Sequence, residues 1–177
     1  MKCPKCGSRL VGTRTPCDCG HRLSFKNIPA PPKRIGIVND YEGILGGEHY
    51  EKVRKAAADF HKETGVEVVI AILGNTKPHL PENYAYFLMN QWQLGGKENK
   101  AFLILMAMYE RRVETEIGSG LETVISEADT DELLEDVIVP CFKDSKYGEG
   151  LIAGVKELIH LIKRETSAVR DKELAAL

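Results

Sequence analysis

The chain has 177 residues, of which 43% are hydrophobic and 28% are charged, and its formal net charge is −2. This composition is typical of a soluble globular protein and excludes a disordered chain, which combines low hydrophobicity with high net charge. The longest apolar run, 101–109, is too short for a membrane span of about 20 residues, and no apolar secretion signal begins the sequence. We therefore expect a cytoplasmic protein without a membrane span.

Charge is divided unevenly along the chain. Residues 1–34 contain eight Lys or Arg residues and one acid, a net charge of +7, so the remainder carries −9. A basic segment in front of an acidic body indicates two modules with different partners. Phe25 is the sole aromatic residue of the basic segment and offers little surface for stacking on nucleic-acid bases. A protein partner is therefore favoured over nucleic acid.

The first predicted element is a cysteine-rich module over residues 1–26. It contains four of the five cysteines, which are Cys3, Cys6, Cys17 and Cys19. Such clustering in a chain without a secretion signal indicates metal rather than disulfides, and four thiolates complete the tetrahedral shell of a structural Zn²⁺ ion. The pattern resembles a short zinc ribbon, CPxCG…CxxCG. The second pair is one residue closer than in that pattern, so His21 is an alternative to Cys17 as the fourth ligand.

A proline-rich linker separates this module from the rest of the chain. Residues 27–34 carry three prolines and are predicted to be extended and fairly stiff. We therefore place the main domain at 35–163, followed by a charged helical tail at 164–177.

The main domain alternates between helical and strand patterns. Helices are predicted over 48–64 and 81–94 from the spacing of their apolar residues. Nearly continuous apolar runs predict buried strands over 66–73 and 101–109. Alternation over 113–117 predicts a strand that pairs antiparallel with the one before it and has a wetter face.

The last part of the main domain is predicted to be helical. Asp129 and Glu132 have the spacing of a capping box and predict a helix start, and Pro140 should kink or restart that helix. A final long helix is predicted to begin near Tyr147. Together these elements indicate an α/β fold in which a mixed sheet lies between helices.

Five short motifs occur in a characteristic order in the main domain. They are 38–45 (VNDYEGIL), 92–97 (WQLGGK), 100–105 (KAFLIL), 112–122 (RVETEIGSGLE) and 147–150 (YGEG). Over residues 35–162 this ordered set resembles the TPM domain family, whose members include thylakoid-lumen proteins of photosystem II repair. The resemblance implies a four-stranded sheet between helices. Family members have been described as acid phosphatases, as calcium or magnesium binders, and as accessory factors of membrane complexes.

Acidic residues are concentrated after the predicted hairpin. The segment 114–136 contains nine acids and neither Lys nor Arg. Asp40 ends the first predicted strand. If the acids of 114–136 lie near that strand end, their carboxylates and that of Asp40 could bind Ca²⁺ or Mg²⁺ through oxygen ligands. The candidate ligands are Asp40, Glu122, Glu127 and Asp129. The alternative is that these acids favour a helix dipole or form a solvated surface.

Three functions are compatible with this sequence. The favoured one is a cytoplasmic, TPM-type binding or regulatory module with a structural zinc ribbon and a divalent-cation site at the acidic rim. The alternative is a metal-dependent acid phosphatase, a phosphomonoesterase that uses the same crevice. No GxxxxGK[ST] loop is present, and the glycines at 118 and 120 are better explained as a turn than as a phosphate cradle. The third is nucleic-acid binding through the basic amino-terminal segment.

Overall fold

A four-stranded mixed sheet forms the centre of the protein. The computed structural model describes residues 2–8, 10, 16–25, 28 and 30–175, with the backbone alone for Glu127 and 168–175. The strands are β1 (Val38–Asp40), β2 (Glu67–Leu73), β3 (Ala101–Ala107) and β4 (Arg112–Ile117), and they lie in the order β1-β2-β3-β4. The first three are parallel, and β4 is antiparallel to β3. The predicted α/β class and the antiparallel hairpin are therefore confirmed.

Helices cover both faces of the sheet, as predicted. The helices α1 (Gly47–Thr64) and α5 (Tyr147–Ala175) pack on one face, and α2 (Pro81–Gln91) packs on the other. Every residue of β3 is buried, since its alternate side chains point into two separate cores. A strand in this position needs apolar residues on both faces, which explains its continuous apolar run.

A helical segment connects β4 to α5. It consists of α3 (Glu127–Glu132), a π-helical turn (Leu133–Ile138) and α4 (Val139–Lys143). Pro140 follows the π-helical turn, and Ile138 and Val139 before it keep helical backbone angles, so the helix changes from π to α geometry here rather than restarting after a break. The π-helical turn was not predicted.

The predicted start of α3 is wrong by three residues. Ser126 is the N-cap, its hydroxyl accepts a hydrogen bond from the Asp129 N–H, and the Asp129 carboxylate accepts one from the Ser126 N–H. Asp129 therefore occupies the N3 position of the capping box rather than the N-cap position. Among the described residues, none of the helices has the combined length and hydropathy to cross a bilayer.

Candidate zinc centre and acidic cleft

Two cysteine-containing turns face each other at the amino terminus. In the first, the Gly7 N–H donates to the Cys3 carbonyl at 2.8 Å, and in the second, the Gly20 N–H donates to the Cys17 carbonyl at 2.7 Å. Both glycines have positive φ, +74° and +80°, a conformation that side-chain-bearing residues rarely adopt. The one-residue deletion in the second turn is thus absorbed without losing the hydrogen bond that closes it.

The four cysteine sulfurs converge on one point. Ligand atoms of Cys3, Cys6, Cys17 and Cys19 all lie within 4.8 Å of one another. Two of the separations are 3.7 Å, between Cys3 and Cys19, and 3.4 Å, between Cys6 and Cys17. Tetrahedral Zn²⁺ with bonds of about 2.3 Å requires sulfurs about 3.8 Å apart, so the donor set fits zinc. His21 is not part of this group.

The thiols of Cys6 and Cys17 differ in how readily they ionise. Hydrogen bonding with the Ser8 side chain and backbone lowers the pKa of Cys6 to about 6. The backbone of Cys19 favours the Cys17 thiolate, but the nearby Cys6 sulfur and burial outweigh it and raise the pKa of Cys17 to about 12. A bound Zn²⁺ would remove this conflict, because its charge stabilises every thiolate in the shell.

The cysteine-rich module, called the ribbon below, is held against α2. The Lys2 N–H donates to Asn83 Oδ1 at 2.9 Å, and Asn83 Nδ2 donates to the Lys2 carbonyl at 2.8 Å. The Asn83 side chain is buried, so removing it would leave polar groups of the Lys2 backbone without these partners. The ring of Phe25 also contacts those of Tyr86 and Phe87, at centroid distances of 6.0 and 5.4 Å. Module and domain therefore share a packed interface.

The proposed divalent-cation ligands are not brought together. Asp40 ends β1 beside Ile72 and so lies at the carboxyl ends of the parallel strands. Because β4 is antiparallel, its own carboxyl end, Ile117, pairs with Phe102 at the amino end of β3. The segment that carries Glu122 therefore begins at the opposite end of the sheet from Asp40.

The described carboxylates give no metal-ligand group of their own. Within the part of the chain that the structure describes, the four cysteines form the one group of three or more ligand residues with metal-binding spacing. Asp129 is engaged in the capping box, and the side chain of Glu127 lies outside the described residues. Among the described residues, Asp40, Glu122 and Asp129 therefore do not form one ligand group, and a cation site that includes Glu127 stays a prediction.

Acidic residues line a cleft between the ribbon, α2, β4 and the region of α3. Its volume is about 490 Å³. The acidic residues that line it are Glu82, Glu114, Glu116, Glu122 and Asp131. Lys2 is the basic residue among the described lining residues, and its Nζ lies 3.9 Å from Glu82.

Two carboxyl groups of the cleft resist ionisation. Burial is the main reason that the pKa of Glu116 is raised to about 7; the positive charge of the amino terminus opposes this, and the charge of Glu122 adds to it. Burial is also the main reason that the pKa of Glu114 is raised, although Arg112 at 2.6 Å partly opposes this. Glu82, Glu122 and Asp131 add further acidic side chains, so the described lining of the cleft is mainly acidic. Of the predicted ligand residues Glu122 lies here, and Glu114 and Glu116 belong to the acid-rich segment 114–136 but were not among the candidate ligands.

The glycine-rich loop after β4 is a turn, as expected. A Cβ atom on either Gly118 or Gly120 would lie 2.0 Å from a backbone oxygen, that of Asn99 or Glu98 respectively. The Gly120 N–H already donates to the Asn99 carbonyl at 3.1 Å. The chain's own backbone thus occupies the space that a phosphate cradle would need.

Comparison with known proteins agrees with this architecture. The TPM domain family model matches residues 38–161. The solution structure of the N-terminal domain of a P. gingivalis protein is 25% identical, with a TM-score of 0.66, covering 71% of this chain and 81% of that one. No curated protein sequence matches the chain.

Two more distant structures share the fold. The BA42 protein from Bizionia argentinensis is 19% identical with a TM-score of 0.62, covering 71% of this chain and 86% of its own. The N-terminal domain of a Corynebacterium glutamicum protein is 13% identical with a TM-score of 0.59, covering 73% of this chain and 82% of its own. At these identities the likeness concerns the fold alone.

Fold and site together define an α/β domain that carries a cysteine-rich, ribbon-like module on one face. Since the family model matches well over half of the sequence, the chain belongs to the TPM domain family. The amino-terminal cysteines precede the matched residues.

Proposed function

We propose that the chain is a cytoplasmic, TPM-type binding module in which a structural zinc ribbon and the TPM domain form one protein-binding surface. The observation that supports this most directly is the paired hydrogen bond between the Lys2 backbone and the buried Asn83 side chain. A module that only tethered or decorated the domain would not need this specific contact. Its position makes the ribbon one wall of the acidic cleft.

The chemistry of the cleft favours a protein partner. Five carboxylates repel the phosphates of a nucleic acid, whereas basic side chains of a protein would be attracted to them. Cytoplasmic location is supported by the cysteine ligands, because thiols remain reduced and available to zinc in a reducing compartment.

The test separates the ribbon's position from its folding. Asn83→Ala should retain zinc but release the ribbon, and so should lose a partner protein that the natural chain captures from a cell lysate. Asn90→Ala is the matched control, because Asn90 is an exposed residue of the same helix whose Nδ2 donates to the Tyr86 carbonyl one helical turn earlier. Equal capture by both variants would contradict a joint binding surface. Steeply salt-dependent association with nucleic acid, lost on deletion of 1–34, would also contradict it.

A second candidate function is a metal-dependent phosphatase, and one observation favours it. Asp40 Oδ1 is buried and has no hydrogen-bond partner among the described residues, while its Oδ2 accepts from the Leu45 N–H at 2.8 Å. An oxygen in this state could ligate Ca²⁺ or Mg²⁺ at the carboxyl ends of the parallel strands. Calorimetric titration with each ion, and turnover of p-nitrophenyl phosphate, should then both disappear in Asp40→Asn. Absence of turnover and of heat in the natural chain would rule this candidate out.

A further inference from the structure

The outer edge of β4 is a sheet edge, and no backbone partner for it is found among the described residues. β4 is the last strand of the sheet, and β3 is its neighbour among the described residues. The Gly118 N–H donates to the Ala101 carbonyl at 2.8 Å, which fixes the alternation of the antiparallel ladder. The backbone N–H and C=O groups of Glu114 and Glu116 therefore form the ladder hydrogen bonds with β3, and those of Thr115 and Ile117 point away from β3.

This edge lies in the acidic cleft rather than on an open surface. The cleft is lined along β4 by residues 114–117, a length of about 13 Å at the rise of a strand. The ribbon and the start of α2 form one wall, with Gly7 and Glu82, and the α3 region forms the other, with Ser126 and Leu134. A single extended chain segment fits such a space, and the walls on both sides would fix its direction.

The two walls differ in chemistry. Val113 and Ile117 pack against the core on the α5 side of the sheet, so the alternate residues Glu114 and Glu116 face the α2 side. The lining on the α5 side includes the apolar Ile117, Ile125 and Leu134. A strand paired with β4 would therefore place every second side chain among carboxylates and the others beside apolar groups.

We propose that the edge of β4 binds an extended peptide segment in which basic residues alternate with apolar ones. The inference rests on the proposed function as a protein-binding module and names the chemistry of its partner. Backbone hydrogen bonds to Thr115 and Ile117 supply affinity, and the carboxylates of the α2 side select Lys or Arg. The raised pKa of Glu116 agrees with this, since a bound cation would stabilise its ionised form.

The experiment measures binding of a fluorescein-labelled octapeptide of alternating Lys and Val to the zinc-loaded full chain by fluorescence anisotropy. We expect saturable binding that weakens with salt, together with shifts of the amide NMR signals of Thr115 and Ile117. Two control peptides define the mode: one has Glu in place of Lys, and the other has methylated backbone nitrogens on the side that faces β4. Equal binding of either control peptide would overturn the proposal.

Variants of the chain test the same contact. Glu122→Lys should weaken binding about fivefold to tenfold by reversing one partly screened charge at the cleft. Asp59→Lys is the matched control, because Asp59 is an exposed acid on α1, across the sheet from the cleft. Equal loss in the two variants would show a nonspecific charge effect and overturn the proposal.

The backbone contribution is tested by Thr115→Pro. Proline removes an N–H that points away from β3, so the ladder between β3 and β4 is retained and peptide binding should be lost. If Thr115→Pro does not fold, the methylated peptide carries the same test on the ligand.

The results also separate this inference from the proposed function. If the octapeptide fails to bind while Asn83→Ala still abolishes capture of a partner protein, the peptide chemistry is wrong and the joint surface stands. If the octapeptide binds the natural chain and Asn83→Ala equally, the edge of β4 acts without the ribbon and the joint surface is wrong.

Discussion

Two glycines, Gly118 and Gly120, determine how closely the loop after β4 approaches the chain before β3. At both positions a Cβ atom would lie only 2.0 Å from the nearest backbone oxygen. Any side chain there must displace backbone rather than a flexible side chain. The loop is therefore fixed by sterics, and with it the position of the segment that leads into the cleft.

Gly118→Ala should lower the free energy of unfolding by about 2–4 kcal/mol, because the new methyl group forces the Asn99 region and the loop apart. Urea unfolding followed by circular dichroism measures this. Gly36→Ala is the control, since a Cβ at Gly36 meets no atom within 4 Å and its φ is not positive. A similar stability for both variants would show that the close approach is not maintained in solution.

A second residue-scale prediction concerns Glu116, whose pKa is raised to about 7 from an ordinary value of 4.5. The folded chain then binds a proton more tightly than the unfolded chain, so this group's contribution to stability is full below pH 4.5 and falls as pH rises towards about 7. Glu116→Gln removes the titration. It should be more stable than the natural chain at about pH 8, by an amount on the order of 1 kcal/mol, and no more stable at about pH 4.

Thermal or urea unfolding across this pH range measures the difference between the two chains. Glu51→Gln serves as the control, because Glu51 is an exposed partner of Arg54 whose pKa is lowered by that hydrogen bond. Its difference from the natural chain should be small and should not grow between pH 4.5 and 7. A pH-independent difference for Glu116→Gln would contradict the raised pKa and hence the burial of this carboxyl group.

At the scale of elements, α3 depends on its first turn. It is six residues long, too short to form without help, and the capping box of Ser126 and Asp129 satisfies two backbone N–H groups at its start. Ser126→Ala should cost about 1 kcal/mol in the free energy of unfolding. Ser126→Thr keeps a hydroxyl and should recover most of that loss. If Thr and Ala prove equally destabilising, the hydroxyl is not acting as the cap.

The same helix shows where sequence patterns are ambiguous. Ser126 and Asp129 have capping-box spacing, and so do Asp129 and Glu132, so spacing alone could not choose between them. The backbone decides, because Ser126 is extended, at φ −88° and ψ 163°, and its N–H is within reach of the Asp129 carboxylate. By contrast, β3 was predictable, since few alternatives suit an apolar run of that length bounded by polar residues.

The candidate sites differ in the same way at the scale of the whole molecule. The convergence of the four cysteines was predictable because they are close in sequence and the geometry of a tetrahedral metal shell restricts their spacing. The relative position of Asp40 and Glu122 was not predictable, because it depends on strand direction: β4 is antiparallel, so the segment that carries Glu122 begins at the opposite end of the sheet from Asp40. The contact between Lys2 and Asn83 joins residues 81 positions apart, and no local pattern marks such a pair.

Zinc removal tests how these parts depend on one another. The ribbon's own buried cluster consists of Cys3, Leu10, Cys17 and Leu23. Two of these residues, Cys3 and Cys17, are candidate metal ligands. Such a core is too small to hold its fold without the metal. The main domain has its own two cores and should remain folded.

A strong zinc chelator should therefore collapse the NMR signals of residues 2–8 and 16–25 into the range of unfolded peptides and leave those of 38–162 dispersed. Signals of Asn83 and Glu116 should shift without losing dispersion, because the ribbon supplies one wall of their cleft. Cys141→Ser should bind zinc as the natural chain does, whereas Cys6→Ser should lose it. Loss of dispersion throughout the chain would mean that the ribbon, rather than the sheet, organises the fold.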